Sequence, residues 1–274
     1  MTLVYACIAP HGSEIVPELA GSRGQAFMQT RKGMIDLAKR VLDARPDTIV
    51  IASPHSVRLR RNIAVIATDN TSGSVADEGG EISLSAKCDM RLAEKLVDEA
   101  EKAGLPVEGL RFAVPSGPLS DFKMDFGTLI PLWFFLKQNR LKSKVVIVAP
   151  TRGIPIATEF EFGKVVGKVV ASGRRRVVFV ASADQAHTHK KSGPYGYNRR
   201  AAEYDHAVLD AIRRNDLKSI MELPRDLIEA AKPDSLWQMV MLAGVIDGRQ
   251  MKLDLVSYQV PTYYGMMCVG CSRG

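Results

Sequence analysis

The chain has 274 residues, 46% of them apolar and 24% charged, with a net charge of +7. This is ordinary globular composition, long enough for one large α/β domain or two small ones, and it excludes an extensively disordered chain. No apolar run approaches the ~20 residues that a membrane span needs, and the chain enters a strand pattern at once, without a signal peptide, so no membrane role is expected.

Residues 2–9 form an apolar strand that ends in Pro10-His11-Gly12, and 13–30 show little periodicity and read as loop. Met34, Leu37, Ala38, Val41 and Leu42 make a helical stripe within 31–45, stopped by Pro46-Asp47. Thr48 to Ala52 is a strand running into Ser53-Pro54-His55. A further strand is expected at 62–68, then a glycine-containing loop, and an amphipathic helix over 86–103 closed by Gly104. A short strand at 110–114 leads into the loop Pro115-Ser116-Gly117-Pro118, and Asp125-Phe126-Gly127-Thr128 opens an apolar helix at 128–138. Next come a strand at 144–149, a helix at 158–171 and a strand at 176–181. Helices at 200–214, 217–230 and 235–244 and a last strand at 252–260 complete the chain. With no repeat, low-complexity segment or linker, one domain spanning 1–274 is expected. Strands alternating with helices predict an α/β fold with a mostly parallel central sheet and helices on both faces, and such sheets bind ligands at the carboxyl ends of their strands.

Four cysteines, Cys7, Cys88, Cys268 and Cys271, are too few to staple a domain of this size and imply a reducing, cytoplasmic setting. Cys268 and Cys271 stand as C-x-x-C, half of a zinc ribbon without the helix start of a redox motif, so buried thiols are the plainer reading. The positive charge gathers in Arg58-Leu59-Arg60-Arg61, Arg174-Arg175-Arg176, Lys190-Lys191 and Arg199-Arg200. Lacking interleaved aromatics or a recognition helix, these are no nucleic-acid motif. They read as solvated faces, or as a mild preference for anionic small molecules where two clusters follow histidine loops.

Only five histidines occur, and His11, His55 and His187 each lie within six residues of a strand end. His11 and His55 share one form: apolar strand, small residue, proline, histidine. The proline stops the strand and fixes φ, which aims the next side chain in a set direction. Either histidine alone would pass for a cap or a packed core residue. Two matched copies and a third histidine at one sheet edge point instead to a metal site. Two imidazoles and a carboxylate with open positions are the ligand set of non-haem Fe(II) oxygenases, and the same set can hold zinc. In Ser182-Ala183-Asp184-Gln185-Ala186-His187-Thr188-His189, a His187 not needed as ligand is free for acid–base work. Asp184 would orient it or an adjacent loop, or simply cap.

Taken together, Ala9-Pro10-His11-Gly12 with Glu18, Ser53-Pro54-His55, Asp125-x-Gly127-x-x-Ile130-Pro131-Leu132, Ser182-x-Asp184-x-x-His187 and Val260-Pro261-x-Tyr263-Tyr264-Gly265 resemble class III extradiol ring-cleavage dioxygenases. The resemblance is closest to the catalytic-subunit superfamily typified by protocatechuate 4,5-dioxygenase, which also holds Memo-like proteins and DOPA dioxygenases. The short matches run in order over almost the whole chain. They imply a mononuclear Fe(II) enzyme that opens a catecholic ring beside its diol with O2. On that pattern His11 and His55 match the histidine ligands and His187 the acid–base histidine; His189 is a second candidate base, with a loop-supporting role as its plainer reading.

Two departures from the family pattern matter. The family's third ligand, usually a glutamate, comes about nine residues before a glycine on a late helix. Counting back from Gly244 reaches Ser235, whose neighbour Asp234 is the expected ligand, with Glu229 behind it and a helix cap as the alternative. Phe126 stands where many relatives carry a histidine that contacts substrate oxygen. Either the substrate lacks that contact, or Tyr195 or His189 supplies it. A zinc enzyme on the same site and a Memo-like, non-catalytic metal- or partner-binding protein are the competing readings. The superfamily often uses a small partner subunit. None is visible here, so a homo-oligomer is expected, or a lid from the chain's own segments 71–81 or 190–200.

Overall fold

In the computed structural model, which describes residues 2–138 and 141–273, the uninterrupted apolar runs form the middle of an eight-stranded sheet. Strand β1 (Thr2–Ala9) leads through 3₁₀ turns and the short helix α1 (Pro17–Ala20) to helix α2 (Met28–Asp43), strands β2 (Thr48–Ala52) and β3 (Ile63–Ile66), the hairpin β4 (Asn70–Asp77) and β5 (Gly80–Lys87), and helix α3 (Met90–Lys102). Strands β6 (Val107–Leu110) and β7 (Asp121–Lys123) precede α4 (Phe126–Leu132), which continues as a π-helical segment (Trp133–Gln138). Then follow β8 (Lys144–Ala149), α5 (Ile156–Ala171) and β9 (Arg176–Ser182). The last third holds α6 (Arg200–Arg213), a 3₁₀ segment (Leu217–Glu222), α7 (Arg225–Ala231), α8 (Leu236–Ile246), β10 (Met251–Gln259) and β11 (Met266–Arg273).

The sheet order is β10-β11-β1-β9-β2-β8-β3-β6, with β1, β9, β2 and β8 mutually parallel at its centre. β11 joins β1, β10 joins β11, and β3 joins β8 antiparallel. β4, β5 and β7 make a separate three-stranded sheet. The central strands are apolar on both faces because both are covered. Ile8, Val50, Val148 and Phe179 pack with α3, α5 and α8, while Cys7, Ile49, Ile51 and Val180 pack with α2 and α4. Each such Val, Ile or Phe contributes roughly 1.5–3 kcal/mol by burial. A one-residue slip of any central strand would exchange its two faces, so the register is firmly set. The expected α/β fold, a mostly parallel sheet with helices on both faces, is what forms.

This order has one functional consequence: the carboxyl ends of β1, β9 and β2 lie side by side, with Ala9 opposite Ser182 and Ala52 opposite Ala181. α8 is brought to the same end by backbone-close packing on α5. A Cβ on Gly163 would lie 2.1 Å from the Met241 carbonyl oxygen, and one on Gly244 2.1 Å from that of Phe160, so both positions need glycine.

The segment expected as one helix over 217–230 is broken, because Pro224 cannot donate a backbone hydrogen bond and starts α7 afresh. The helix expected from 86 begins at Met90, where Asp89 accepts from the Leu92 amide, and 80–87 is strand β5. The expected strand at 110–114 lies earlier, at 107–110. The loop expected after 68 is strand β4, and β7 and β11 were not expected either.

Candidate metal centre

Three strand-end loops and one helix start converge here. His11 follows β1, His55 follows β2, Asp184 and His187 follow β9, and Asp234 stands just before α8. Nε2 of His11, Nε2 of His55 and one carboxylate oxygen of Asp234 all lie within 4.8 Å of one another. The Nε2 atoms are 3.1 Å apart, and Oδ2 of Asp234 is 3.0 Å from His55 and 3.3 Å from His11. His11 is 1% and Asp234 6% exposed.

His11 and Asp234 are each aimed by a second hydrogen bond, and His55 by the turn that carries it. Nδ1 of His11 is 2.9 Å from Ser182 Oγ, and that hydroxyl donates to the Gly127 carbonyl. Oδ1 of Asp234 accepts the Asp184 amide at 3.0 Å, which leaves Oδ2 facing the histidines. Oδ1 of Asp184 accepts the His11 amide at 3.3 Å, and its other oxygen is 3.5 Å from His11 Nε2. Ser53 donates to Asp125, which also caps α4, so the Ser53-Pro54-His55 turn is tied to that helix.

The electrostatics match a cation site. Burial disfavours an ionised Asp234, but the charge of His11 and hydrogen bonds from His11 and His55 outweigh it and hold Asp234 below the usual carboxylate range. Burial raises Asp184. His11 is pulled down by burial but pushed further up by Asp184 and Asp234, to about 9. His187 is shifted down by burial, its Nδ1 donates to the Gln185 carbonyl at 2.8 Å, and its Nε2 lies 3.7 Å from Asp234 Oδ2. His187 thus offers a neutral ring with an open lone pair.

These donors enclose one end of a pocket of about 480 Å³. Phe126 and Tyr195 both line it, 43% and 60% exposed. The Phe126 ring packs at 4.1 Å on His55 and 5.7 Å on His11, and the Tyr195 ring is 6.3 Å from His187. Val75, Ala76 and Asp77 from the hairpin and Pro194 complete the walls, so both segments expected as lids reach the pocket. His189 does not line it. Its Nε2 lies 2.9 Å from Asp205, which also accepts the Ala186 amide and the Tyr258 hydroxyl, so His189 braces the loop that carries His187. Glu229 pairs instead with Arg225 on an exposed face of α7.

Several residues at the site gave no usable signal in the sequence. Ser182 stands in the Ser182-x-Asp184-x-x-His187 motif, but nothing in the sequence marks its hydroxyl as the partner of His11. Glu14 and Arg23 come from the stretch read as loop. Glu14 accepts from Tyr264 and Arg23 at 2.9 Å each, whereas Glu18 is exposed on α1.

A family model for the catalytic LigB subunit of aromatic ring-opening dioxygenase matches residues 5–268. The chain belongs to this family. A protein of Clostridium acetobutylicum is 25% identical over 260 residues, 94% of this chain but 55% of its own length, so the chain spans about half the length of that relative. The crystal structure of an uncharacterised protein from Escherichia coli K12 shares the fold, with a TM-score of 0.65 and 18% identity over 99% of this chain and all of that one. Dioxygenases of the family bind a metal, and His11, His55 and Asp234 form a possible site for it. No helix among the described residues is long and apolar enough to cross a membrane.

Proposed function

We propose that the chain is a non-haem Fe(II)-dependent extradiol dioxygenase that inserts O2 into a catecholic ring and opens it beside the diol. The observation that carries this reading is the convergence of His11, His55 and Asp234 on one point, with the free Nε2 of His187 beside it. The donor set supports the reading: two imidazoles and one carboxylate, with positions left open, are the ligands of non-haem iron(II) oxygenases.

Iron(II) held there would supply a Lewis acid for the diol oxygens and a meeting place for O2. The chain's own residues supply the rest. His187, neutral and open at Nε2, takes a diol proton and returns it later, its ring held by the Gln185 carbonyl and stacked at 5.3 Å on Tyr264. Phe126 offers no hydrogen bond; its ring covers both histidines and gives the substrate ring an apolar wall. Arg23 contributes no free cation, because each of its three nitrogens meets a different carboxylate, Glu14, Asp77 or Glu78. The pocket therefore suits a catechol without an anionic substituent.

The test is metal analysis of anaerobically purified protein and of His55→Ala, with O2 uptake on a catechol panel. Near-stoichiometric iron that is lost in the variant, with O2 consumed and a yellow ring-opened product, is the expected result. Zinc in place of iron, or bound iron with no O2 consumed across the panel, overturns the reading.

A further inference from the structure

We propose that the cavity walled by Arg58, Arg60 and Arg152 binds a small phosphate-class oxyanion, either inorganic phosphate or a small phosphate monoester. This cavity, of about 210 Å³, shares no lining residue with the metal pocket, and its other walls include Thr151, Trp237 and Gln238. The proposal does not depend on which reaction the metal pocket performs.

Charge carries the argument. Three arginines, all exposed, line one cavity whose other lining residues include no aspartate or glutamate. Among the described residues none of the three has a carboxylate within ion-pair distance, although Arg23, Arg40, Arg175, Arg200 and Arg225 each do. Arg58 and Arg152 donate only to backbone carbonyls, those of Pro54 and Pro233. Arg58 and Arg152 repel one another, the Asp234 carboxylate offsets part of this from beyond ion-pair distance, and an anion seated between the arginines removes the remaining repulsion.

The cluster is also held in place. The Arg152 guanidinium sits 4.2 Å over the Trp237 ring, which fixes its plane. Thr151 Oγ donates to the Leu59 carbonyl at 2.7 Å. Next to it, a Cβ on Gly153 would lie 1.8 Å from the Arg60 carbonyl oxygen, so glycine is needed for this approach. These contacts clamp the Arg58-Leu59-Arg60 turn against the turn after β8, so backbone packing sets the arginine-bearing turns side by side. Guanidinium forks match phosphate oxygens in pairs, and the volume is below the ~300 Å³ at which drug-sized sites begin, so a small anion fits best.

Trp237 makes the test direct, since the chain has two tryptophans and Trp133 is 5% exposed in the opposite core layer. Metal-free, chelator-treated protein is titrated at constant ionic strength with inorganic phosphate and, separately, with glycerol phosphate, following tryptophan emission. The expected result is a saturable change with at least one of the two, shared by Arg225→Gln. The apparent Kd should rise at least tenfold in Arg60→Gln and in Arg152→Gln, with circular dichroism confirming that each variant is folded. Saturation by phosphate assigns the free anion, and saturation by the ester alone assigns a phosphorylated small molecule. A response that does not saturate with either anion, or that both arginine variants retain, overturns the proposal.

Discussion

The hydroxyl of Ser182 lies 2.9 Å from Nδ1 of His11 and at the same time donates to the Gly127 carbonyl, so towards His11 it can only accept. His11 must then carry a proton on Nδ1, and its Nε2 is the atom that faces Asp234 and His55. A serine at a strand end thus decides which nitrogen is available to a metal. Ser182→Ala is expected to weaken metal affinity roughly 10- to 100-fold while the protein stays folded. Competition with a chelator of known affinity measures this, and unchanged affinity would remove Ser182 from the site.

Asp234 and Glu229 make opposite predictions. Asp234 Oδ2 sits among the imidazoles, whereas Glu229 is spent on an exposed pair with Arg225. Asp234→Asn should abolish stoichiometric metal binding, and Glu229→Gln should leave it intact. Elemental analysis of the two variants decides between them.

How far the sequence foretold this site follows from local chemistry. Strands buried on both faces read as unbroken apolar runs, and a proline after β1, β2 and β8 marks where each of these stops, so the sequence alone places His11 and His55 at one sheet edge. Asp234 was reachable only by counting from Gly244, because Pro233-Asp234-Ser235 reads as a cap in any protein; the packing of α8 on α5 is what brings it to the rim. β11, Met-Met-Cys-Val-Gly-Cys-Ser-Arg, has little β-branched character and owes its strand form to pairing with β1 and β10. β4 is polar and small apart from Val75, so its alternation is faint, whereas in β5 Ile82, Leu84 and Ala86 alternate with Glu81, Ser83 and Ser85, a period-2 signal that the neighbouring glycines obscure.

Proton competition gives a third test. Without metal, Asp184 and Asp234 outweigh burial and raise His11 to about 9, with the second proton on Nε2. A metal must displace that proton. At pH 7 binding should release close to one proton from His11, and affinity should climb roughly tenfold per pH unit before levelling near pH 9. For the metal-free fold the sign is the reverse: the raised histidine adds stability that is fully present below its unfolded value and is lost as pH rises through about 9. Calorimetric titration in buffers of different ionisation enthalpy counts the proton, and a count of zero would refute the coupling.

His187 and His189 should separate by phenotype. His187→Gln keeps all three donors and should retain metal while losing about 10²–10⁴ in kcat, the usual span for a general acid–base. His189→Gln alters one of the three partners of the buried Asp205 carboxylate, so it should lower Tm first. Equal loss of kcat in both variants with unchanged Tm would contradict the division of roles drawn from their hydrogen bonds.

The last prediction concerns substrate charge. Glu14, Asp77, Asp184 and Asp234 line the pocket against a single arginine, and the nitrogens of Arg23 are already matched to Glu14, Asp77 and Glu78. An anionic ring substituent would enter without a free cation to meet it, while a neutral or ammonium substituent would meet carboxylates. Catechols bearing a methyl or aminoethyl group should therefore exceed the carboxyethyl analogue in kcat/KM by roughly tenfold or more, about 1.4 kcal/mol of discrimination. Asp77→Asn would release one side of Arg23 and should narrow that gap by improving the carboxylated substrate, which O2-uptake kinetics on the three catechols would read directly. A carboxylated catechol preferred by the unaltered protein would mean that Arg23 leaves its three partners when substrate binds.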